Sequence, residues 1–197
     1  MLRSPRQSRL SRAFACLVFA AGLVVLSACS KPVTRSDQPP IDLPRFMGTW
    51  YVIAHVPYFT DRGHVAAHDE YTLQPDGRIA VRYLYRTGFQ QPFKLLEAVA
   101  TVEPGSGGRN WRVRFFHVVP ARQRILDIAP DGSWALLDSP GRDLAWVFAR
   151  KPVMDDATYQ DLLRRLRGHG VDSDKLWRVP QTPEQVGGLG FDRPKDE

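Results

Sequence analysis

The sequence predicts an all-β protein: an eight-stranded antiparallel up-and-down β-barrel with one C-terminal α-helix packed on its outside. Two observations carry that prediction. Between residues 49 and 150, short β-rich runs alternate with turn clusters such as Pro75-Asp76-Gly77, Pro130-Asp131-Gly132 and Pro140-Gly141, where a fixed φ precedes a residue tolerant of positive φ. After Pro152, by contrast, Tyr159, Leu162, Leu163 and Leu166 fall at i, i+3, i+4 and i+7, the spacing of one helical face.

The strands are expected at 49–56, 68–73, 78–86, 93–102, 111–117, 124–129, 134–138 and 145–150. Alternation is clearest where Ile79, Val81, Tyr83 and Tyr85 interleave with Arg78, Arg82 and Arg86, and where Trp111, Val113 and Phe115 interleave with Arg112 and Arg114. Each such strand has one dry and one wet face. Asp155 or Asp156 can cap the helix and Gly168 and Gly170 can end it; residues 176–179 would add a last short strand. Eight antiparallel strands can close into a barrel whose interior holds either side chains or one small ligand. Periodicity leaves that choice open.

The ends of the chain read differently from its middle. Residues 1–12 carry Arg3, Arg6, Arg9 and Arg12 and no acid, and the apolar run AFACLVFAAGLVVL then leads to Ser27-Ala28-Cys29. This is the order of a secretory signal. Its apolar stretch of 14 residues falls short of the roughly 20 that span a bilayer. Residues 30–41 are polar, with Pro39-Pro40, and suit a stiff exposed tether. The expected organisation is a signal at 1–28, Cys29 with its tether at 29–41, the barrel domain at 42–180 and a flexible tail at 181–197.

Charge and cysteine content exclude other classes. Of the formal net charge of +6, four charges are the leader arginines, and without them +2 remains. A nearly neutral domain with dispersed arginines gives no basis for nucleic-acid binding. The only cysteines are Cys16 and Cys29, so a processed chain keeps one and forms no internal disulfide.

Leu26-Ser27-Ala28-Cys29 resembles the lipobox of bacterial lipoproteins, and Asp42-Leu43-Pro44-Arg45-Phe46-Met47-Gly48-Thr49-Trp50-Tyr51 resembles the first signature of the lipocalins. The second resemblance continues through Ala145-Trp146-Val147-Phe148-Ala149-Arg150, similar to that family's eighth strand, to Leu176-Trp177, in the manner of the bacterial and apolipoprotein D-like branch. The middle signature, usually Thr-Asp-Tyr, is poorly matched by Leu126-Asp127-Ile128. The lipobox implies diacylglyceryl attachment at Cys29, and Ser30 in place of an acid implies sorting to the outer membrane, the barrel facing the periplasm. The lipocalin resemblance implies structural roles for Gly48, Trp50 and Arg150: a turn into the first strand, a plug for the closed base, and a cation over the indole.

The same resemblance implies reversible binding of a small lipid such as a fatty acid or lysophospholipid, stored or carried in the barrel. Strand parity then nominates Val52, Tyr83, Tyr85, Leu96, Ala98, Ala100, Phe115 and Trp146 as the pocket, small residues leaving room and aromatics lining it. Arg86, Arg82 or Tyr85 would meet an anionic head at the mouth. No cofactor, metal or nucleic acid is expected, and a homodimer is admitted. Catalysis lacks a constellation: His64 and His68 are expected as a solvated pair in a loop running into a strand, where a spacing of four does not share a face. Ser133 and Ser139 lie in turns without an evident histidine partner, and no thiol is left inside the barrel. The alternative is an envelope interaction module with a filled barrel, acting through exposed Phe59 and Phe89 on its open-end loops.

Overall fold

The computed structural model describes residues 38–116 and 118–196; the leader, Cys29 and the tether to residue 37 lie outside the described residues. The domain begins with a one-turn helix, α1 (Leu43–Phe46). It forms because Asp42 Oδ1 accepts from Arg45 N–H (3.1 Å) and Pro44 pre-sets the first turn. Eight strands follow: β1 (Gly48–His55), β2 (Val65–Leu73), β3 (Ile79–Arg86), β4 (Lys94–Val102), β5 (Asn110–Phe115), β6 (Val119–Ile128), β7 (Trp134–Asp138) and β8 (Ala145–Ala149). Each pairs antiparallel with the next, and β1 pairs with both β2 and β8, closing the barrel. A short β9 (Trp177–Arg178) adds to the outer end of β1.

Two strands run further than alternation suggests. β2 starts at Val65 because a bulge between Val65 and His68, with Ala66 at φ +50°, absorbs the irregular Val-Ala-Ala run. β6 starts at Val119, with Pro120 tolerated close to the strand's start. β5 stops at Phe115 because Phe116 takes φ +50° in a tight turn.

Apolar residues divide between two cores. The barrel interior holds Phe46, Trp50, Val52, Tyr71, Ile79, Val81, Ala98, Ala100, Trp111, Val113, Ile125 and Phe148 among others. The second lies outside the wall, under α2 (Asp156–Gly168), whose Tyr159, Leu162, Leu163 and Leu166 pack on Ile53, Leu126, Leu136 and Val147. A bulge in β1 between Val52 and Ala54 turns both Ile53 and Ala54 to that outer side. Asp155 caps the helix, accepting from Thr158 N–H (2.8 Å) and Thr158 Oγ1 (2.7 Å).

The segment expected as a flexible tail is instead bonded along the barrel. β1 and β2 pair only from Gly48↔Tyr71 to Tyr51↔His68, and above that point residues 180–181 bridge them. Gln181 Nε2 donates to Val52 O (2.8 Å) and Ala67 O (3.0 Å), and Pro180 O accepts from Ala66 N–H (2.8 Å). Backbone groups left by the splayed strands are thereby satisfied. The chain then pairs Arg178 with Phe191 and crosses the open end. Asp192 Oδ2 accepts from Gly63 N–H (2.7 Å), Lys195 N–H donates to Gly63 O (3.2 Å), Lys195 Nζ to Thr60 O (3.0 Å) and Asp196 N–H to Thr87 O (2.8 Å). Gly63 must be glycine here: its φ is +73°, and a Cβ would lie 2.8 Å from Arg193 O. Bonds made to backbone leave no side-chain period, which is why this strap escapes a reading by pattern.

Candidate functional site: a cup open at one end

The closed base is built first by chain geometry and then by aromatic packing. Gly48 takes φ +94° to turn from α1 into β1, which drops Trp50 into the floor. Its Nε1–H donates to Phe46 O (2.8 Å), and its ring lies 4.9 Å from that of Phe46, which meets Trp111 edge-on at 5.5 Å. Arg150 covers the indole from outside, its guanidinium 3.7 Å from the ring centroid. Its Nη1 donates to Thr49 O (2.7 Å) and its Nη2 faces Arg45 O (3.0 Å), Phe46 O (3.0 Å) and Met47 O (2.8 Å). One side chain, placed just after β8, therefore ties α1 to β1 where these two strands close the barrel. A cleft of about 510 Å³ lies beside this base, lined by Pro39, Ile41, Arg45, Arg109, Asp127 and Pro130 among others.

Above the base, burial falls steadily along the inward-facing positions. On β3, Ile79 and Val81 are buried while Tyr83 and Tyr85 are half-buried; on β4, Ala100 and Ala98 are buried and Leu96 half-buried; on β5, Trp111 and Val113 give way to Phe115. β6 runs the same way, from buried Ile125 through half-buried Gln123 and Ala121 to exposed Val119. Inward side chains that are reached by solvent from one end only describe a cup.

The structure sets Val52, Tyr83, Tyr85, Ala98, Ala100, Phe115 and Trp146 in or against the interior core, and Leu96 pairs with Tyr83 at the upper level. Arg86 is not brought to them. It stands on the opposite face of β3 from Tyr85, donating to Phe89 O (2.8 Å) with its guanidinium 4.2 Å from the Phe93 ring centroid. Arg82 is also outside, paired with Glu70 (2.5 Å). The parity that places two tyrosines inside necessarily turns these arginines out. Phe59 is 76% exposed, whereas Phe89, expected beside it as exposed, is half-buried.

Several inward groups carry polarity that alternation alone does not flag. His64, expected in a solvated pair, folds over the mouth, buried and stacked 3.7 Å from Tyr85, with Nδ1 3.0 Å from Tyr83 Oη. Burial, reinforced by Lys195, pushes its pKa down to about 4, so the ring is neutral at pH 7. His68 points elsewhere, its Nδ1 near Ala66 O (3.2 Å) and its ring edge-on to Phe93. Deeper in the cup sits Asp69. Registers Trp50↔Asp69 and Asp69↔Tyr83 fix it on the interior face, where burial raises its pKa to about 7. Tyr71 Oη donates loosely to Asp69 Oδ2 (3.4 Å) and accepts from Gln123 Nε2 (3.0 Å). The signal for this cluster was the parity of Asp69 with Ala67 and Tyr71.

Comparison with known proteins gives a consistent picture. The family described as Lipocalin-like domain matches residues 41–181. Temperature-induced lipocalin-1 of Arabidopsis thaliana is 31% identical over 151 residues, covering 72% of this chain and 80% of its own length. Outer membrane lipoprotein Blc of Citrobacter freundii is 28% identical over 167 residues, 83% of this chain and 93% of its own; that of Escherichia coli (strain K12) is 27% identical, covering 82% and 92%. Among solved structures, lobster apocrustacyanin A1 superposes with a TM-score of 0.60 at 14% identity, covering 73% of this chain and 81% of its own. Insecticyanin from the tobacco hornworm Manduca sexta gives 0.58 at 14%, covering 79% and 86%; both likenesses concern the fold.

Proposed function

Because the chain belongs to the lipocalin family, we propose that it is a membrane-tethered carrier that holds a small apolar lipid, of the fatty-acid or lysophospholipid class, in the upper half of its barrel. The observation that carries this reading is the gradient of burial along the inward-facing residues of β3, β4, β5 and β6. A wall of Ala98 and Ala100 under Tyr83, Tyr85, Leu96, Phe115 and Trp146 offers apolar surface that an acyl chain can remove from water. Nothing in this reading calls for catalysis.

The test is uptake of a fluorescent fatty acid by the purified, delipidated protein. Displaceable uptake at micromolar concentration or tighter supports the carrier, and its complete absence overturns it. Ala98→Trp places an indole across the cup at the level of Val81. It is expected to weaken uptake at least tenfold, while overpacking lowers stability by only about 1–3 kcal/mol. Paired titrations of uptake and urea denaturation separate the two effects.

Tethering rests on the lipobox residues ending at Cys29 and on relatives whose names are those of outer membrane lipoproteins. We place the acylated chain at the outer membrane with the barrel facing the periplasm. Labelled palmitate is expected to enter the wild-type protein in bacterial cells and to be lost on Cys29→Ala, the variant accumulating as unprocessed precursor; label retained by the variant refutes the assignment.

A second reading has one specific observation in its favour: Phe59, Phe116 and Val118 are 76%, 67% and 76% exposed on the open-end loops, surface suited to an envelope partner. Ala98→Trp discriminates, because an interaction module working through its loops is indifferent to a filled cup.

A further inference from the structure

We propose that the middle of the cup, between the Trp50 floor and the level of Tyr83, is a recognition site for a hydrogen-bond-donating cation, the protonated primary amine of a single-chain amphiphile, with Asp69 as its counter-charge. The proposal rests on the carrier reading above and specifies the ligand that the cup prefers.

The argument starts from what faces Asp69. Its neighbours on the interior face are Tyr71 two residues along its own strand, Trp50 across on β1, Tyr83 across on β3, and Gln123 of β6 by way of Tyr71 Oη. None is a cation. A carboxylate turned into an apolar interior, even a half-buried one such as Asp69, is ordinarily paired with a positive group or saturated with hydrogen bonds, and every other aspartate or glutamate that forms an ion pair among the described residues does so outside the barrel or at its rim. Among the described residues the Asp69 side chain accepts one hydrogen bond, the loose one from Tyr71 Oη to Oδ2 at 3.4 Å.

The donors and acceptors are lopsided. Tyr71 spends its only proton on Asp69, and Gln123 directs its amide nitrogen to Tyr71 Oη (3.0 Å), which leaves Gln123 Oε1 and Asp69 Oδ1 without partners among the described residues. The cluster therefore presents acceptors to the lumen. An ammonium supplies three donors and a positive charge and fits such a surface; a carboxylate supplies neither. Once Asp69 is ionised, a fatty acid entering head-first would set its anion against that charge, which favours tail-first entry with the head near the mouth.

Raising the pH from 6 to 8 leaves an alkylamine cationic and an alkyl carboxylate anionic. Over that range the ionisable groups lining the site behave differently from one another. His64 at the mouth is already neutral, and burial holds the hydroxyls of Tyr71 and Tyr83 above their usual range. The Asp69 carboxyl titrates near pH 7 and so governs any change in preference.

The experiment compares dodecylamine and dodecanoate as ligands of the full-length, delipidated protein, by calorimetry and by displacement of a fluorescent fatty acid. Dodecylamine is expected to bind at least tenfold more tightly at pH 8, the ratio shrinking towards pH 6. In Asp69→Asn, close in shape but unable to ionise, the ratio should fall to within about threefold and lose its pH dependence, with dodecanoate binding unchanged or tighter. Wild-type protein that binds both ligands equally at pH 8, or an Asp69→Asn variant that keeps the amine preference, overturns this site while leaving the carrier reading intact. Protein that takes up neither ligand overturns the carrier reading and this site with it. The wild-type pH series stands by itself, so the outcome does not depend on how well the variant folds.

Discussion

Replacing Arg150 with alanine is expected to lower the free energy of unfolding by about 3–5 kcal/mol, among the largest effects of any single change outside the aromatic floor. The guanidinium donates to Thr49 O and faces the carbonyls of Arg45, Phe46 and Met47 while lying 3.7 Å over Trp50. Hydrogen bonds from a charged donor contribute roughly 1.5–3 kcal/mol each, and these share one donor group, so they do not sum. Truncation also strands carbonyl groups under a partly covered floor and removes the cation from the indole face. Arg150→Lys should recover little, because a single ammonium cannot span carbonyls on both α1 and β1. Urea denaturation followed by tryptophan fluorescence measures both, and a loss under 1 kcal/mol for Arg150→Ala would show that the base holds without this clamp.

Asp69→Asn should stabilise the protein without ligand, and only above mildly acidic pH. The folded carboxyl titrates near pH 7 and an unfolded one near 3.8. Between those values the folded state holds a proton that the unfolded state has released, so wild-type stability declines as pH rises through this window. Asparagine has nothing to ionise. The variant should match wild type near pH 4 and exceed it above pH 8, by an amount that the full difference would set at about 4 kcal/mol and that solvent reaching the half-buried carboxyl reduces. His64 slopes the other way: its folded pKa of about 4 lies below the unfolded 6.5, so its contribution is complete above pH 6.5 and is lost as pH falls towards 4. The two groups oppose each other in the wild type, and the variant should expose a steeper acid limb. Denaturation at half-unit steps from pH 4 to 8 tests this, and equal stabilities at pH 8 would contradict it.

The barrel was legible where side chains repeat every second residue and turns carry proline and glycine. Ile79, Val81, Tyr83 and Tyr85 show it, as does the helix face from Tyr159 to Leu166. Legibility failed where backbone groups decide the structure. The bulge at Ala66 lengthens β2, and the bonds from Gln181, Asp192 and Asp196 that seat the C-terminal segment have no side-chain rhythm. At the site, parity names the apolar wall, and it holds for charged residues as well. Arg86 follows Tyr85 directly and so must face outward, whereas Asp69 shares the parity of Ala67 and Tyr71 and so faces inward. A polar residue at an inward position is the exception worth more than the rule.

The strap across the mouth also sets an order of events. Asp192 and Gly63 meet across 129 residues, and Lys195 and Thr60 across 135. Closing loops of that length yields nothing until the strands between have already paired, so these contacts form late. In a chain made from its N-terminus, the barrel can assemble with its mouth still untied, and the loops at 56–64 and 87–93 are fastened only as residues 192–196 arrive. Residues 192–196 are thus the closing stitch of the rim, and a bulky group attached to them would weigh on the mouth, whereas one attached at residues 38–41 would act at the base.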